Sequence, residues 1–255
     1  MMKMMNKVLL MLVAGILIAS VASADDFSAT EEKIRAAMAA DIRDEADTSR
    51  DKNRKPLETL EFFGLRDDMK VVELIPGSGW YTKILAPVMA ENGEYYAAIG
   101  SGRVKENLSA KPGFENMKIA VEDSSFSRPE GARLYELKVG DLGVTDADIV
   151  FTFRNYHNFD AESRAAMNKA VYDALKPGGV YAVVDHTKRH LEGDTDENRR
   201  RVDPVSAIKE IQDAGFRLVD YSTLHYRADD ELRYEVGRKT VTGNTDRFTL
   251  KFIKE

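Results

Sequence analysis

At 255 residues, with 43% hydrophobic and 31% charged side chains, the chain is long enough to bury a sizeable core in one large domain. A formal net charge of −6 argues against a partner held through phosphate contacts, so no nucleic-acid partner is expected. The absence of cysteine excludes disulfides, thiolate metal sites and a catalytic thiol.

In chain order, Met1–Lys7 carries two lysines and no acid, and residues 8–22 are an apolar run broken only by Gly15 and Ser20. Ala22-Ser23-Ala24 then offers small residues for cleavage, which completes a secretory signal too short to span a bilayer. Export to the periplasm with cleavage after Ala24 is expected, leaving no stable membrane span. Without Lys3 and Lys7 the remaining 35 basic and 43 acidic residues give −8. Residues 25–56 read as an N-terminal helical segment that ends in the charged stretch Asp41–Pro56. That stretch is either a lid over a ligand pocket, with Arg50 and Arg54 as anion contacts, or an exposed helix laced with ion pairs. Apolar positions Leu57, Leu60, Phe62 and Phe63 continue a helix that Gly64 stops.

Residues 57–255 read as one α/β domain. Lys70–Ile75 is a β-branched strand, Pro76–Gly79 breaks it, and a helix follows over Tyr81–Ala90. Further strands are expected at Glu94–Ile99, Met117–Val121, Arg133–Lys138, Ala147–Phe153 and Val180–Val184, with a helix at Ala161–Leu175 and a turn at Lys176–Gly179. The basic run Arg199-Arg200-Arg201, preceded by acids, reads as a solvated helix start. A helix at Asp203–Ala214 and strands at Phe216–Tyr226 and Arg247–Ile253 close the chain. Strands alternating with helices imply a mainly parallel sheet; the last two strands, joined by a polar loop, imply an antiparallel pair at one edge.

A strand, a glycine-rich turn and a helix together make a place where backbone N–H groups converge beside a positive helix end. Here the turn reads Glu73-Leu74-Ile75-Pro76-Gly77-Ser78-Gly79, and it lacks the three spaced glycines of a dinucleotide site, which disfavours a nicotinamide oxidoreductase. The turn resembles the first motif of class I S-adenosylmethionine-dependent methyltransferases, with Ile75 in place of the first glycine. Asp148–Phe153 and Leu175–Asp185, with its Leu-Lys-Pro-Gly-Gly stretch, resemble that family's fourth and fifth strands. The resemblance implies a Rossmann-like class I methyltransferase fold with a seven-stranded sheet and S-adenosylmethionine as cofactor. A narrower resemblance is to predicted exported methyltransferases of unknown substrate, carried by Pro76–Thr82, Phe153–Asn158 and Thr245–Phe252.

By resemblance, Glu73, Pro76, Gly77, Ser78, Gly79, Tyr81 and Asn155 are the cofactor-binding residues, with Tyr81 a wall of the site. Asn155 and His157 are the catalytic candidates, His157 as general base. The family's ribose-binding acid is replaced by Ile99 or Gly100. His186 and His190, with Asp185, have the spacing of a metal pair but follow a strand and lack H-E-x-x-H, so no metal is assigned. The reading is an exported methyltransferase acting on a small molecule or envelope component, of unstated oligomeric state. The alternative is an exported binding or interaction protein that keeps the fold without catalysis.

Overall fold

The structure is a computed structural model that describes residues 25–121 and 124–255; the signal-like segment 1–24 lies outside the described residues. Four helices open the described residues: α1 (Asp25–Met38), α2 (Glu45–Thr48), α3 (Asp51–Arg54) and α4 (Pro56–Phe63). Then come β1 (Lys70–Leu74), α5 (Thr82–Met89), β2 (Glu94–Ala98), α6 (Gly102–Leu108), β3 (Lys118–Ala120), β4 (Ser125–Ser127) and β5 (Glu136–Lys138). The second half holds β6 (Ala147–Phe153), a 3-10 turn at Tyr156–Asn158, α7 (Ala161–Ala174), β7 (Leu175–His186), α8 (Pro204–Asp213), β8 (Phe216–Ser222) and β9 (Arg247–Lys254).

Seven strands form one sheet in the order β3-β2-β1-β6-β7-β9-β8. The first five in that order run parallel, and β9 pairs antiparallel with both β7 and β8. Strand order reverses beside β1, so the carboxyl ends of β1, β2 and β6 border the crevice where open α/β sheets bind ligands. Both expectations, the parallel sheet and its antiparallel edge, are met.

Alternation of side chains across the pleat explains the two cores. On β1, Val72 and Leu74 face the layer of α7 and α8, while Val71 faces the layer of α1, α4 and α5. On β6, Ile149, Phe151 and Phe153 enter the second layer and Val150 the first. Each such side chain, fully buried, contributes roughly 1.5–3 kcal/mol. Ile34 and Ala37 of α1 join the α5 layer, so the N-terminal segment is packed into the same core. Helix starts are set locally: Asp160 accepts from the Ser163 N–H at 2.8 Å and Asp203 from Val205 at 2.9 Å. Gly64 stops α4 with φ +79°.

The structure differs from expectation in three places. Glu136–Lys138 does not enter the main sheet; it pairs with Ser125–Ser127 in a separate ribbon. With only Leu137 turned inward it buries too little to compete for a sheet edge. Lys176–Gly179, expected as a turn between elements, falls inside β7, where it bulges out unpaired between Leu175 and Val180 with Gly178 at φ +76°. Finally, Arg201 is not solvated: its side chain is buried, and Nη1 and Nη2 reach the Asp230 carboxylate at 2.9 and 3.0 Å. That fork pins the long β8–β9 loop against the end of β7. Among the described residues no helix is long and apolar enough to cross a membrane.

Candidate functional site

The chain leaves β1 through Ile75 in the left-handed region, φ +52°. Residues just beyond β2, β3 and β6 do the same: Ile99 at +60°, Val121 at +55° and Arg154 at +62°. Three of these four are β-branched, for which left-handed backbone costs about 1–2 kcal/mol each. Strain of this kind, collected at one edge of the sheet, is found where surroundings hold a functional geometry. Here the holding contacts are visible. The Ile75 N–H donates to the Ala98 carbonyl at 2.9 Å, and the Ile75 carbonyl accepts from Asn155 Nδ2 at 3.0 Å. Asn155 Nδ2 also donates to the Phe153 carbonyl at 3.1 Å. Asn155 therefore ties the end of β6 to the turn after β1.

Within the turn Pro76 and Gly79 are buried, Gly77 is half-buried and Ser78 is exposed. A Cβ on Gly77 would meet nothing within 4 Å, so the backbone there faces open space. A Cβ on Gly79 would stand 2.8 Å from Leu108 Cδ1 and 3.0 Å from Val104 Cγ1, so this glycine lets α6 pack on the turn. Glu73 lies behind the turn, in the α5 layer. Its Oε2 accepts from the Tyr95 hydroxyl at 2.6 Å and from Thr82 Oγ1 at 2.8 Å. Burial pushes its carboxyl up to about 7, against the opposing pull of those two hydroxyls and Arg54. Tyr81 stacks on Phe153 with ring centroids 3.6 Å apart, and its hydroxyl points at the Arg54 carbonyl, 3.5 Å away.

Two cavities lie along the strand ends, on opposite sides of β1 in the sheet order, and no residue of the turn itself lines either. One, about 320 Å³, lies beyond β2 and β3 and is lined by Gly100, Ser101, Gly102, Ile119, Val121 and Ser124 among others. Ile99 is fully buried in the core, so the end of β2 offers no carboxylate to this cavity. The Phe126 ring lies against Gly100, where an added Cβ would come within 2.6 Å of it. The other cavity, about 470 Å³, opens beyond β6, β7 and β9. Arg154 and His186 border it from the sheet, Thr245 and Arg247 from the start of β9, and Arg50 and Arg54 from the N-terminal segment. The Arg54 guanidinium sits 4.2 Å from the centroid of the Trp80 indole, whose Nε1–H donates to the Asp47 carbonyl at 3.0 Å.

The histidines separate into distinct roles. His157 Nδ1 lies 2.5 Å from Asp185 Oδ1, and the His157 backbone N–H donates to Oδ2 at 3.0 Å. The carboxylate fixes the Nδ1–H tautomer and leaves Nε2 as the basic nitrogen. The His157 ring borders two small cavities, about 140 and 100 Å³, shared with Arg133; it does not line the larger cavity of Arg154 and His186. In His186, Nε2 accepts from Arg154 Nε at 3.0 Å, so Nδ1–H donates to Thr245 Oγ1 at 2.9 Å. Burial, with Arg154 and Arg247 nearby, holds His186 neutral far below its usual range. His190 is half-exposed and turns to Asp203 at 2.8 Å. The pair weighed as metal ligands is thus divided between other partners, and no cluster of three or more metal-ligating side chains occurs among the described residues.

Sequence reasoning named the turn, Asn155 and His157, but missed Arg154 and Arg247. Both lie in segments that carry the narrower resemblance: Phe153–Asn158 and Thr245–Phe252 each send an arginine to one cavity, and Pro76–Thr82 touches its border through Trp80 under Arg54. Membership of those two segments was the signal the linear chain offered.

No family model and no curated protein matches the chain. Solved structures do match. The chain is similar to a SAM-dependent methyltransferase from Aquifex aeolicus at 18% identity and a TM-score of 0.57, over 88% of this chain and 98% of that one. It is similar to the cyclase SpnF at 14% identity and a TM-score of 0.54, over 79% and 80% of the two chains. A glycopeptide N-methyltransferase, MtfA, complexed with S-adenosyl-L-homocysteine, aligns at 13% identity and a TM-score of 0.51, over 80% of this chain and 90% of that one. At these identities the likeness is one of architecture: the chain has the α/β, Rossmann-like fold found in SAM-dependent methyltransferases.

Proposed function

We propose that this chain is an exported S-adenosylmethionine-dependent methyltransferase acting on a small molecule or an envelope component. The observation that carries the reading is the open, strained turn at the point of strand-order reversal, with one cavity beyond β2 and β3 and another beyond β6, β7 and β9. An added Cβ on Gly77 would meet nothing within 4 Å, so the turn offers bare backbone, which suits the amino-acid end of the cofactor. On the β2 side Ser101 and Ser124 line the cavity and would hold the ribose hydroxyls in place of a carboxylate. Pro76, Ser78 and Gly79 shape the turn, Tyr81 walls it, and Glu73 braces the strand behind it through Tyr95 and Thr82. When bound, the cofactor supplies an electrophilic methyl group on sulfonium.

The chain's own part is to hold, orient and deprotonate. Asn155 fixes the turn relative to β6. His157, oriented by Asp185, is the general base through Nε2. That role requires the acceptor's nucleophile to reach the small cavity that His157 shares with Arg133 and Arg164. Titration calorimetry of the full chain with S-adenosyl-L-homocysteine tests the reading, and no heat at millimolar ligand, with the protein shown folded, overturns it. Export is tested by amino-terminal sequencing of the periplasmic protein, which should begin at Asp25.

A second reading is a non-catalytic exported binding protein. It is favoured by the buried Ile99 at the ribose position and by export away from the cytoplasm, where S-adenosylmethionine is made. SpnF, named as a cyclase, illustrates that one architecture hosts other chemistry. Under this reading Asn155→Ala and His157→Ala leave the biological phenotype unchanged.

A further inference from the structure

The cavity beyond β6, β7 and β9 has an unusual electrostatic composition. Arg50, Arg54, Arg154 and Arg247 all border it, and among the described residues no aspartate or glutamate does. Arg54 and Arg247 are each only 7% exposed. Their positions come from three separate parts of the chain, so the clustering is a product of the fold and not of a local basic run.

The internal partners of these guanidiniums do not neutralise them. Arg54 lies over the Trp80 indole at 4.2 Å. Arg154 donates to a histidine that is itself held neutral. Arg247 Nη1 donates to the Asn53 carbonyl at 2.8 Å, while its buried Nε has no hydrogen-bond partner. The acid that acts on Arg154 and Arg247 from a distance is Asp185, and its carboxylate is committed to His157 and to the His186 backbone N–H. Burial and mutual repulsion push Arg54 down to about 8 and Arg247 to about 10. Buried cations without a counter-charge are costly, and proteins retain them where something else supplies the charge.

We propose that this cavity binds a small oxyanion, a carboxylate or phosphate, carried by the methyl acceptor. The assignment to the acceptor rests on the methyltransferase reading, because the cavity lies on the opposite side of the β1 turn from the β2–β3 cavity assigned to the nucleoside. Planar guanidinium forks match the paired oxygens of carboxylate and phosphate. A volume of about 470 Å³ suits a metabolite-sized ligand. The exposed Arg50 enters from the N-terminal segment, so an anion held here would bridge that segment to the strand ends.

The test is titration calorimetry of the full chain with inorganic phosphate and with succinate, at ionic strength held constant with sodium chloride. Saturable binding is expected, weakened at least about tenfold in Arg50→Gln and in Arg154→Gln. Arg35→Gln, at an exposed side chain of α1 away from the cavity, should bind as the unaltered chain does. Arg50 is exposed, so its variant keeps the fold even if a change at the half-buried Arg154 disturbs it. The same titrations repeated with S-adenosyl-L-homocysteine present should show both ligands bound together. Absence of saturable anion binding, or equal binding by Arg50→Gln and Arg154→Gln, overturns the proposal. Displacement of phosphate by S-adenosyl-L-homocysteine overturns it too, since the arginines would then hold the cofactor's carboxylate. If the anion binds in an arginine-dependent way and S-adenosyl-L-homocysteine does not bind at all, the anion site stands and the methyltransferase reading falls. Sedimentation with phosphatidylglycerol vesicles, lost in Arg50→Gln, would assign the oxyanion to a lipid headgroup; phosphate binding without sedimentation assigns it to a free solute.

Discussion

Asn155 Nδ2 donates to the Ile75 carbonyl across 3.0 Å, and this one bond joins the end of β6 to the first residue of the turn after β1. Ile75 holds a conformation that glycine normally supplies, so the turn depends on outside contacts to keep its shape. Asn155→Ala should cost about 1 kcal/mol of stability and weaken S-adenosyl-L-homocysteine about tenfold. Urea unfolding and calorimetry on the same preparation separate the two effects. Unchanged affinity with lowered stability would reduce Asn155 to a structural brace.

The two outer glycines of the turn should respond differently to alanine. Gly77→Ala meets no neighbour, so only the left-handed backbone is penalised, by about 1–2 kcal/mol, while the ligand face gains a methyl group. Gly79→Ala carries the same backbone penalty and drives a Cβ into Leu108, adding about 1–3 kcal/mol of overpacking. Thermal unfolding should therefore rank Gly79→Ala below Gly77→Ala, and ligand binding should be lost in Gly77→Ala despite its milder fold defect.

Asp185 accepts three N–H groups, from the His157 ring, the His157 backbone and the His186 backbone. An asparagine side chain in its place would turn an NH₂ group toward at least one of those donors. Asp185→Asn should lose about 1–3 kcal/mol for the buried donor left unpaired. Nitrogen NMR of the His157 ring should report loss of the fixed Nδ1–H tautomer; a retained tautomer would show that the ring is oriented by something other than Asp185.

Glu73 makes stability depend on pH in a predictable direction. Its carboxyl is raised from 4.5 to about 7 in the folded protein. Between those values the folded state holds a proton that the unfolded state does not. The resulting stabilisation is fully present below pH 4.5 and is lost as pH rises through 7. Glu73→Gln removes that titration. The stability of the variant relative to the unaltered chain should therefore rise by about 3 kcal/mol between about pH 4.5 and about pH 8, and stay level above it. His225, lowered to about 4 by burial, titrates in both proteins and cancels in the difference.

Asp230→Ala should be among the most damaging single changes outside the site. It leaves Arg201 buried and unpaired, at about 3–5 kcal/mol, and releases the β8–β9 loop that brings Thr245 and Arg247 to the cavity. Lys209→Ala, which removes an exposed pair with Asp213 on α8, should be nearly silent. Urea midpoints of the two variants give the comparison.

Much of this was legible in the linear chain, for a physical reason. A strand buried on both faces must be largely apolar, as in Val71–Leu74 with only Glu73 and Ile149–Phe153 with only Thr152 as polar members, and the turn that breaks the first uses proline and glycine. Those local requirements disclosed the parallel sheet and the turn at Pro76–Gly79, while the departures at Ile75 and Ile99 showed only against the pattern of the family the chain resembles. Ser125–Ser127 left no trace because its side chains are exposed and carry no period. Glu136–Lys138 misled because a short alternating run does not say which edge it will find. The role of Glu73 was likewise hidden: only the packing of β1 against β2 and α5 brings Tyr95 and Thr82 to its carboxylate. Tertiary structure alone decided which charges meet. Arg50, Arg54, Arg154 and Arg247 are scattered through nearly two hundred residues of sequence. Long-range electrostatic grouping has no sequence period, so their convergence on one cavity became visible only when the sheet set their strand ends side by side.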